Sequence, residues 1–212
     1  MRKIFTLLLN LLVFTLIALI CSINCFIMLV LALFTLLIPN QKIRLKVRSH
    51  LLIFHKISCK SCYYGLRCAT TIKIRPSHLL HSFKSDQCYL MISNHQSWLD
   101  ILIIAAELQA YTSPIKFMMK KDLLWQLPII SWFCYLYGYP FISRNKIKSS
   151  INMNKTNIIN ACRKMCLVPS TLMIFPEGTR LTHSKQVASK SPFNYLLKPK
   201  HKGLELSITA LQ

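Results

Sequence analysis

A histidine and an aspartate stand where one apolar segment ends and another begins. His95 follows the β-compatible run Tyr89–Ile92, and Asp100 lies inside a second apolar run, residues 98–108, that has helical spacing. Helical positions five residues apart differ by about 140°, so His95 is predicted in the turn before the helix. From there its ring can fold back onto the Asp100 carboxylate, which leaves one imidazole nitrogen to accept a proton. This pattern indicates a general base with its orienting group; the alternative is a turn histidine beside a carboxylate that complements the helix dipole.

Two further strand candidates end in charged residues. Residues 171–175 form a short apolar run, and a Pro-Glu-Gly turn then delivers Glu177 and Arg180 at its exit. Between this run and His95, the segment 138–142 reads as strand-like and ends just before Arg144. Three predicted strand ends therefore each present a polar residue.

These motifs have the order and spacing found in the glycerolipid acyltransferases, the family that includes 1-acyl-glycerol-3-phosphate acyltransferase. The matching residues are Asn94-His95 with Asp100, Gly138 with Phe141-Ile142 and Arg144, and the hexapeptide Phe175-Pro176-Glu177-Gly178-Thr179-Arg180. Their context, at residues 96–98, 120–128 and 196–200, resembles a bacterial membrane subgroup. The resemblance covers the chain from about Tyr89 onward. It implies a central sheet flanked by helices, docked on the bilayer through an N-terminal helical motif.

The resemblance implies transfer of a fatty acyl group from a thioester donor to the free hydroxyl of a lysophospholipid such as 1-acyl-glycerol-3-phosphate. The donor is acyl-coenzyme A or acyl carrier protein, and both are substrates rather than bound cofactors. His95 is the expected base for the hydroxyl proton, and Asp100 the group that fixes its tautomer. A lysophospholipid with another headgroup is left open as the acceptor.

The remaining site residues are assigned to the acceptor. By resemblance Arg144 and Arg180 bind its phosphate, which planar guanidinium groups can grip in bidentate fashion. Glu177 and Gly178 are expected to shape the acceptor site, and backbone N–H groups of the turn around Gly178 are candidates to stabilise an oxyanion. No metal site is predicted.

The composition points to a membrane. The 212 residues are 53% hydrophobic, with a mean hydropathy of +0.39, yet carry a formal net charge of +21. Soluble globular domains rarely combine these properties. Anionic lipids and the phosphates of an acyl donor account for the basicity. A nucleic-acid binder is the alternative that charge alone suggests, but no recognition motif supports it, so no nucleic-acid partner is predicted.

The N-terminal segment is predicted to anchor the chain. Residues 4–38 carry no charge, and as one helix they would be about 52 Å long, against about 30 Å of bilayer hydrocarbon. We therefore expect a transmembrane or re-entrant helical hairpin that breaks near Cys21–Cys25, with one long span as the alternative. Basic residues at both ends then face the cytoplasm, which predicts a cell inner membrane protein with a cytoplasmic catalytic domain. The boundaries follow as 1–40 for the anchor, 41–87 for a basic membrane-surface connector and 88–212 for the acyltransferase domain.

The connector combines a basic amphipathic pattern with cysteines. Residues 42–56 are predicted as a helix whose apolar side carries Ile43, Val47, Leu51 and Phe54, suited to an anionic lipid surface; an ordinary solvated basic face is the alternative. Cys59 and Cys62 resemble half of a zinc site, but no second pair with matching spacing follows. The nine cysteines show no disulfide framework.

The later segments alternate between strand and helix patterns. A strand is expected over residues 115–119, an aromatic-rich segment over 123–137 and a polar helix over 145–165. This alternation predicts an α/β domain with catalytic groups at strand ends. The chain ends at Gln212 without the apolar, proline-containing motif that family members carry further on. A truncated, catalytically impaired member is therefore the alternative to an active enzyme.

Overall fold

The computed structural model describes residues 2–69, 82–108, 111–145 and 147–212. Its helices are α1 (Arg2–Phe34), α2 (Gln41–Ala69), α3 (Leu99–Leu108), α4 (Leu123–Gln126), α5 (Pro128–Leu136), α6 (Lys148–Leu167), α7 (His183–Ala188) and α8 (Lys202–Leu211). Its strands are β1 (Tyr89–Ile92), β2 (Ile115–Phe117), β3 (Met119–Lys120), β4 (Phe141–Ile142) and β5 (Thr171–Ile174). The predicted α/β class, with parallel sheets flanked by helices, is confirmed. Residues 109 and 110, just after the predicted helical run, and residues 70–81 of the connector lie outside the described residues.

Strand β5 is the centre of the main sheet. It pairs in parallel with β1 on one side and with β2 on the other. Its four residues are all buried, as expected for a central strand covered on both faces. Because all three strands are parallel, β1 and β5 reach the same edge of the sheet at their carboxyl ends. The segments that carry His95 and Glu177 therefore leave the sheet side by side.

The single strand predicted over residues 115–119 is divided between two sheets. The N–H of Met118 still donates to the carbonyl of Met173 in β5, at 3.3 Å. The N–H of Met119 turns instead to the carbonyl of Pro140, at 2.9 Å, and β3 pairs in parallel with β4. The change of partner at one residue explains why a continuous apolar run gives two strands.

The two faces of β5 are covered by different helices. Met173 packs in a cluster with buried side chains of α1, α2, α3 and α5. Leu172 and Ile174 point to the other face, where they pack against α6 and α8. This alternation follows from the two-residue period of a strand. Each such side chain contributes about 1.5–3 kcal/mol on full burial, so the short strand is held by the layers on both sides.

Helix α1 runs without the interruption predicted near Cys21–Cys25. The hydroxyl of Ser22 donates to the carbonyl of Ala18 at 2.8 Å, so this polar residue is accommodated inside the helix. The chain reverses only after the 3₁₀ turn Thr35–Leu37, and α2 then packs back along α1. The antiparallel helix pair of the structure is therefore α1 with α2, and not a hairpin within residues 1–40. Among the described residues, one segment, Leu11–Leu37, has the length and the apolar composition needed to cross a bilayer.

Helix α2 has one buried and one exposed side. Ile43 and Val47, on the side predicted for the lipid surface, are exposed, whereas Leu45, Arg48 and Leu52 are buried. The side chain of Phe54 lies outside the described residues. The contact of the exposed side with lipid stays a prediction. Arg48 is drawn inward by helix carbonyls that need a donor, a requirement that the sequence of α2 alone does not show.

Candidate active site

His95 and Asp100 meet at the start of α3, as the spacing predicts. The Nδ1 of His95 lies 3.0 Å from Oδ2 of Asp100. The same oxygen accepts the backbone N–H groups of Gln96 at 2.7 Å and Ser97 at 2.8 Å. Asp100 is the second residue of α3, so its carboxylate satisfies N–H groups at the helix start and complements the dipole. An ionised carboxylate only accepts hydrogen bonds, which makes Nδ1 the donor and leaves Nε2 as the basic nitrogen.

The imidazole ring is fixed in a second direction by stacking. The ring of Phe175, just after β5, lies 4.2 Å from the His95 ring at an interplanar angle of 19°. The ring of Phe117 of β2 also stacks on Phe175, with centroids 6.1 Å apart. The second ring nitrogen has no hydrogen-bond partner among the described residues. With its side chain only 14% exposed, His95 is both oriented and largely shielded from water.

Glu177 ties the histidine turn to the C-terminal part of the chain. Its side chain is 4% exposed. One carboxylate oxygen accepts the N–H of His95 at 3.0 Å, and the other accepts the N–H of Leu197 at 2.9 Å. In the return direction, the N–H of Leu181 donates to the carbonyl of His95 at 2.8 Å. Glu177 therefore acts on the position of the His95 backbone.

The two predicted arginines lie around the turn at Gly178. Gly178 has a φ of +66°, a conformation that glycine adopts at no steric cost. Its carbonyl accepts a hydrogen bond from Nη2 of Arg144 at 2.7 Å. Its own N–H donates to the carbonyl of Phe175 at 2.9 Å, so this N–H is not available to an oxyanion. Arg180 lies over the ring of Trp98, with its guanidinium carbon 4.2 Å from the ring centroid, a cation–π contact.

Three residues near the site were not singled out from the sequence. Trp98 supports Arg180, a pairing that no sequence pattern indicated. Lys185 donates through Nζ to the hydroxyl of Thr179 at 2.9 Å. The Nζ of Lys200 lies 3.5 Å from the position that a Cβ on Gly178 would occupy. The many lysines that follow the hexapeptide in the sequence were the one indication that basic side chains lie near this turn.

The charge distribution suits an anionic ligand. The rim of the turn carries Arg144, Arg180, Lys185 and Lys200, while the Glu177 carboxylate beneath it is already bonded by two N–H groups. Such a cluster raises the local concentration of anions. Over the described ranges, no group of three or more His, Cys, Asp or Glu side chains could hold a metal ion.

Comparison with known proteins gives one family. Residues 75–204 match the family model described as Acyltransferase. The 1-acyl-sn-glycerol-3-phosphate acyltransferase alpha of Ovis aries is 31% identical over 117 residues, which is 55% of this chain and 36% of the relative. An uncharacterized acyltransferase of Schizosaccharomyces pombe is 33% identical over 123 residues, 56% of this chain and 39% of the relative. No solved structure matches. The matched segment thus spans little more than a third of the length of these relatives.

Proposed function

This chain belongs to the acyltransferase family, and from that premise we propose that it moves a fatty acyl group from an acyl thioester to the free hydroxyl of a lysophospholipid. The observation that carries the proposal is the His95–Asp100 pair, held 3.0 Å apart at the end of β1. Relatives named 1-acyl-sn-glycerol-3-phosphate acyltransferase support 1-acyl-glycerol-3-phosphate as the acceptor.

The chemistry begins with a hydroxyl that is a poor nucleophile until its proton is accepted. Nε2 of His95 takes that proton while the hydroxyl oxygen attacks the thioester carbonyl carbon. The C–S bond then breaks, and the imidazolium returns the proton to the departing thiolate. Asp100 stabilises the imidazolium through Nδ1. General base catalysis of this kind contributes about 10²–10⁴-fold in rate.

The acceptor phosphate is assigned to Arg144 and Arg180. Both guanidinium groups lie next to the turn at Gly178, and neither forms an ion pair with a carboxylate among the described residues. Stacking on Trp98 fixes the plane of Arg180 and leaves its N–H edge for bidentate contact. Acyl-coenzyme A or acyl carrier protein is the proposed donor.

We place the protein on the cytoplasmic face of a bacterial inner membrane. A Cβ on Gly65 of α2 would lie 2.8 Å from Cδ1 of Ile17, so α2 follows α1 back to that point. Only residues 2–16 of α1, about 22 Å, extend past it, which is less than the roughly 30 Å of bilayer hydrocarbon. This geometry favours a hairpin that lies in one leaflet, with the cations of α2 among the headgroups. A cysteine replacing Lys3 should react from the cytoplasmic side, and reaction from the opposite side alone would contradict this placement.

The function is tested by acyl transfer with the purified chain in detergent. Labelled acyl-coenzyme A and acyl carrier protein are each offered with a panel of lysophospholipids, and His95→Ala is compared with His183→Ala. His183 begins α7 and is exposed, so its replacement controls for loss of an imidazole. Transfer that depends on His95 alone supports the proposal and identifies the acceptor. If folded protein transfers no acyl group with any donor and acceptor pair, the result supports the catalytically impaired alternative.

A further inference from the structure

A basic cleft lies at the edge of the sheet away from His95. It is small and partly open to solvent, and it is lined by α2, α6 and the residues that precede β2 and β5. Three cationic side chains reach it: Arg48, Lys116 and Lys164. His95 follows the carboxyl end of β1, whereas this cleft opens near the amino ends of β2 and β5. It is therefore separate from the proposed active site.

Lys116 is buried there without a counter-charge. Its side chain is 8% exposed, and it forms no ion pair or hydrogen bond with any described residue. Burial, and then the nearby charge of Lys164, lower the pKa of Lys116 from 10.5 to about 8, with Cys88 acting weakly in the other direction. None of the six acidic residues of the chain lines the cleft. A buried ammonium that nothing neutralises is costly, so an anion in the cleft would offset part of this cost.

Two buried hydroxyls point to the same conclusion. Tyr137 and Ser170 are among the residues that line the cleft, and the Oη of Tyr137 and the Oγ of Ser170 have no hydrogen-bond partner in the described parts of the chain. Each residue is only 2% exposed, so water does not readily satisfy them. Buried polar groups left without a partner are uncommon and cost about 1–3 kcal/mol each. A ligand with several acceptor atoms would satisfy both.

The lysine side chains converge beside a residue that has no side chain. The Nζ of Lys116 lies 3.9 Å, and Cδ of Lys164 lies 3.7 Å, from the position that a Cβ on Gly138 would occupy. Gly138 has a φ of +79°, so the turn itself also favours glycine. The two ammonium-bearing chains thus share one small volume, where a single anion can contact both.

Arg48 has a different part in the cleft. Its guanidinium donates to the hydroxyl of Thr35 at 2.7 Å, to the carbonyl of Ala32 at 3.4 Å and to the carbonyl of Leu136. These contacts satisfy carbonyls near the ends of α1 and α5. Arg48 therefore supplies positive potential to the cleft, but its guanidinium nitrogens already donate to other groups of the protein. The donors that remain are the two lysines and the two hydroxyls.

We propose that this cleft binds one phosphate group, held by Lys116 and Lys164 and by the hydroxyls of Tyr137 and Ser170. A phosphate brings close to two negative charges and several acceptor oxygens, which match two ammonium groups and two hydroxyl donors. The group can belong to a phospholipid headgroup or to a free anion. The site goes beyond the proposed function, because it uses none of the residues assigned to catalysis or to the acceptor.

The test compares two double variants that remove the same charge. Lys116→Gln with Lys164→Gln empties the cleft of its free cations, whereas Lys148→Gln with Lys155→Gln removes two exposed lysines of α6. The full chain in phosphate-free detergent buffer is titrated with inorganic phosphate, and its melting midpoint is followed. In a second arm, its binding to phosphatidylglycerol-containing vesicles is measured by flotation. An Arg144→Gln, Arg180→Gln chain separates this site from the acceptor site.

Phosphate at ten times its Kd should raise the midpoint by about 3–6 °C in the wild type, the α6 control and the arginine variant. The cleft variant should bind phosphate at least about tenfold more weakly. If inorganic phosphate has no effect but vesicle binding falls only in the cleft variant, the ligand is a lipid headgroup. Equal responses of the two double variants in both arms would overturn the proposal. If the double variant does not fold, the same measurements are made with Lys164→Gln alone, because Lys164 is only half-buried.

Discussion

Replacing Asp100 by asparagine separates the charge of this residue from its shape. Asparagine is nearly isosteric and also caps helices well, so the N–H groups of Gln96 and Ser97 keep an acceptor. What is lost is the charge-assisted bond to His95. Such a bond is worth about 1.5–3 kcal/mol, or about a 10- to 150-fold fall in rate at 1.36 kcal/mol per factor of ten. If the asparagine NH₂ takes the position of Oδ2 instead, the N–H groups of Gln96 and Ser97 lose their acceptor and the NH₂ favours the wrong imidazole tautomer, which extends the expected loss towards 10⁴-fold.

The assay measures kcat for acyl transfer at saturating donor and acceptor, beside the melting midpoint of each variant. We expect Asp100→Asn to lower kcat by about 10²–10⁴-fold while the midpoint changes by only a few degrees. Glu205→Gln is the matched control, since Glu205 is an exposed carboxylate of α8 and its loss should leave both quantities unchanged. A folded Asp100→Asn chain with a kcat within about twofold of the wild type would refute the role of the carboxylate.

Arg180→Lys should raise the acceptor KM about tenfold or more, because an ammonium cannot make the bidentate contact; an unchanged KM would remove Arg180 from the site. Glu177→Gln should lower stability by about 1–3 kcal/mol, because its NH₂ cannot accept the N–H of Leu197; thermal unfolding checks this, and an unaltered midpoint would contradict it. Lys116→Met should stabilise the phosphate-free chain by about 3 kcal/mol near pH 7, since the pKa of Lys116 falls from 10.5 to about 8 on folding, beside Lys164. The free energy of unfolding of the wild type should rise from pH 8 to 10.5 until it equals that of Lys116→Met. A difference between the two chains that stays constant with pH would contradict a cost of burying the charged lysine.

The sequence predicted the parts of the site that depend on local geometry. His95 and Asp100 lie in one turn and the helix start that follows, so their spacing alone placed the ring beside the carboxylate. The three strand ends were also visible, because short apolar runs stop at turn residues. Gly178 could be placed in a turn for the same reason.

The missed features depend on partners that are distant in the chain. Glu177 bonds to the backbone of His95 only because β1 and β5 are parallel neighbours, and no local pattern shows that pairing. The stacking of Arg180 on Trp98 follows from the same adjacency. The burial of Arg48 was not predicted, because its acceptors, at Thr35 and Leu136, lie outside α2. Pairing order and helix packing therefore account for what the sequence left open.

The general base role of His95 is tested most directly by the pH dependence of acyl transfer. Single-turnover rates of the wild type and of His95→Ala are measured with the best acceptor, after subtraction of thioester hydrolysis in buffer. With the base present, the rate should not follow the hydroxide concentration. Without the base, hydroxide must remove the proton. At the lowest pH measured, the rate of His95→Ala should therefore be at least about 10²-fold below the wild-type rate, and it should rise about tenfold per pH unit. A His95→Ala profile that matches the wild type in rate and shape would contradict the proposed mechanism.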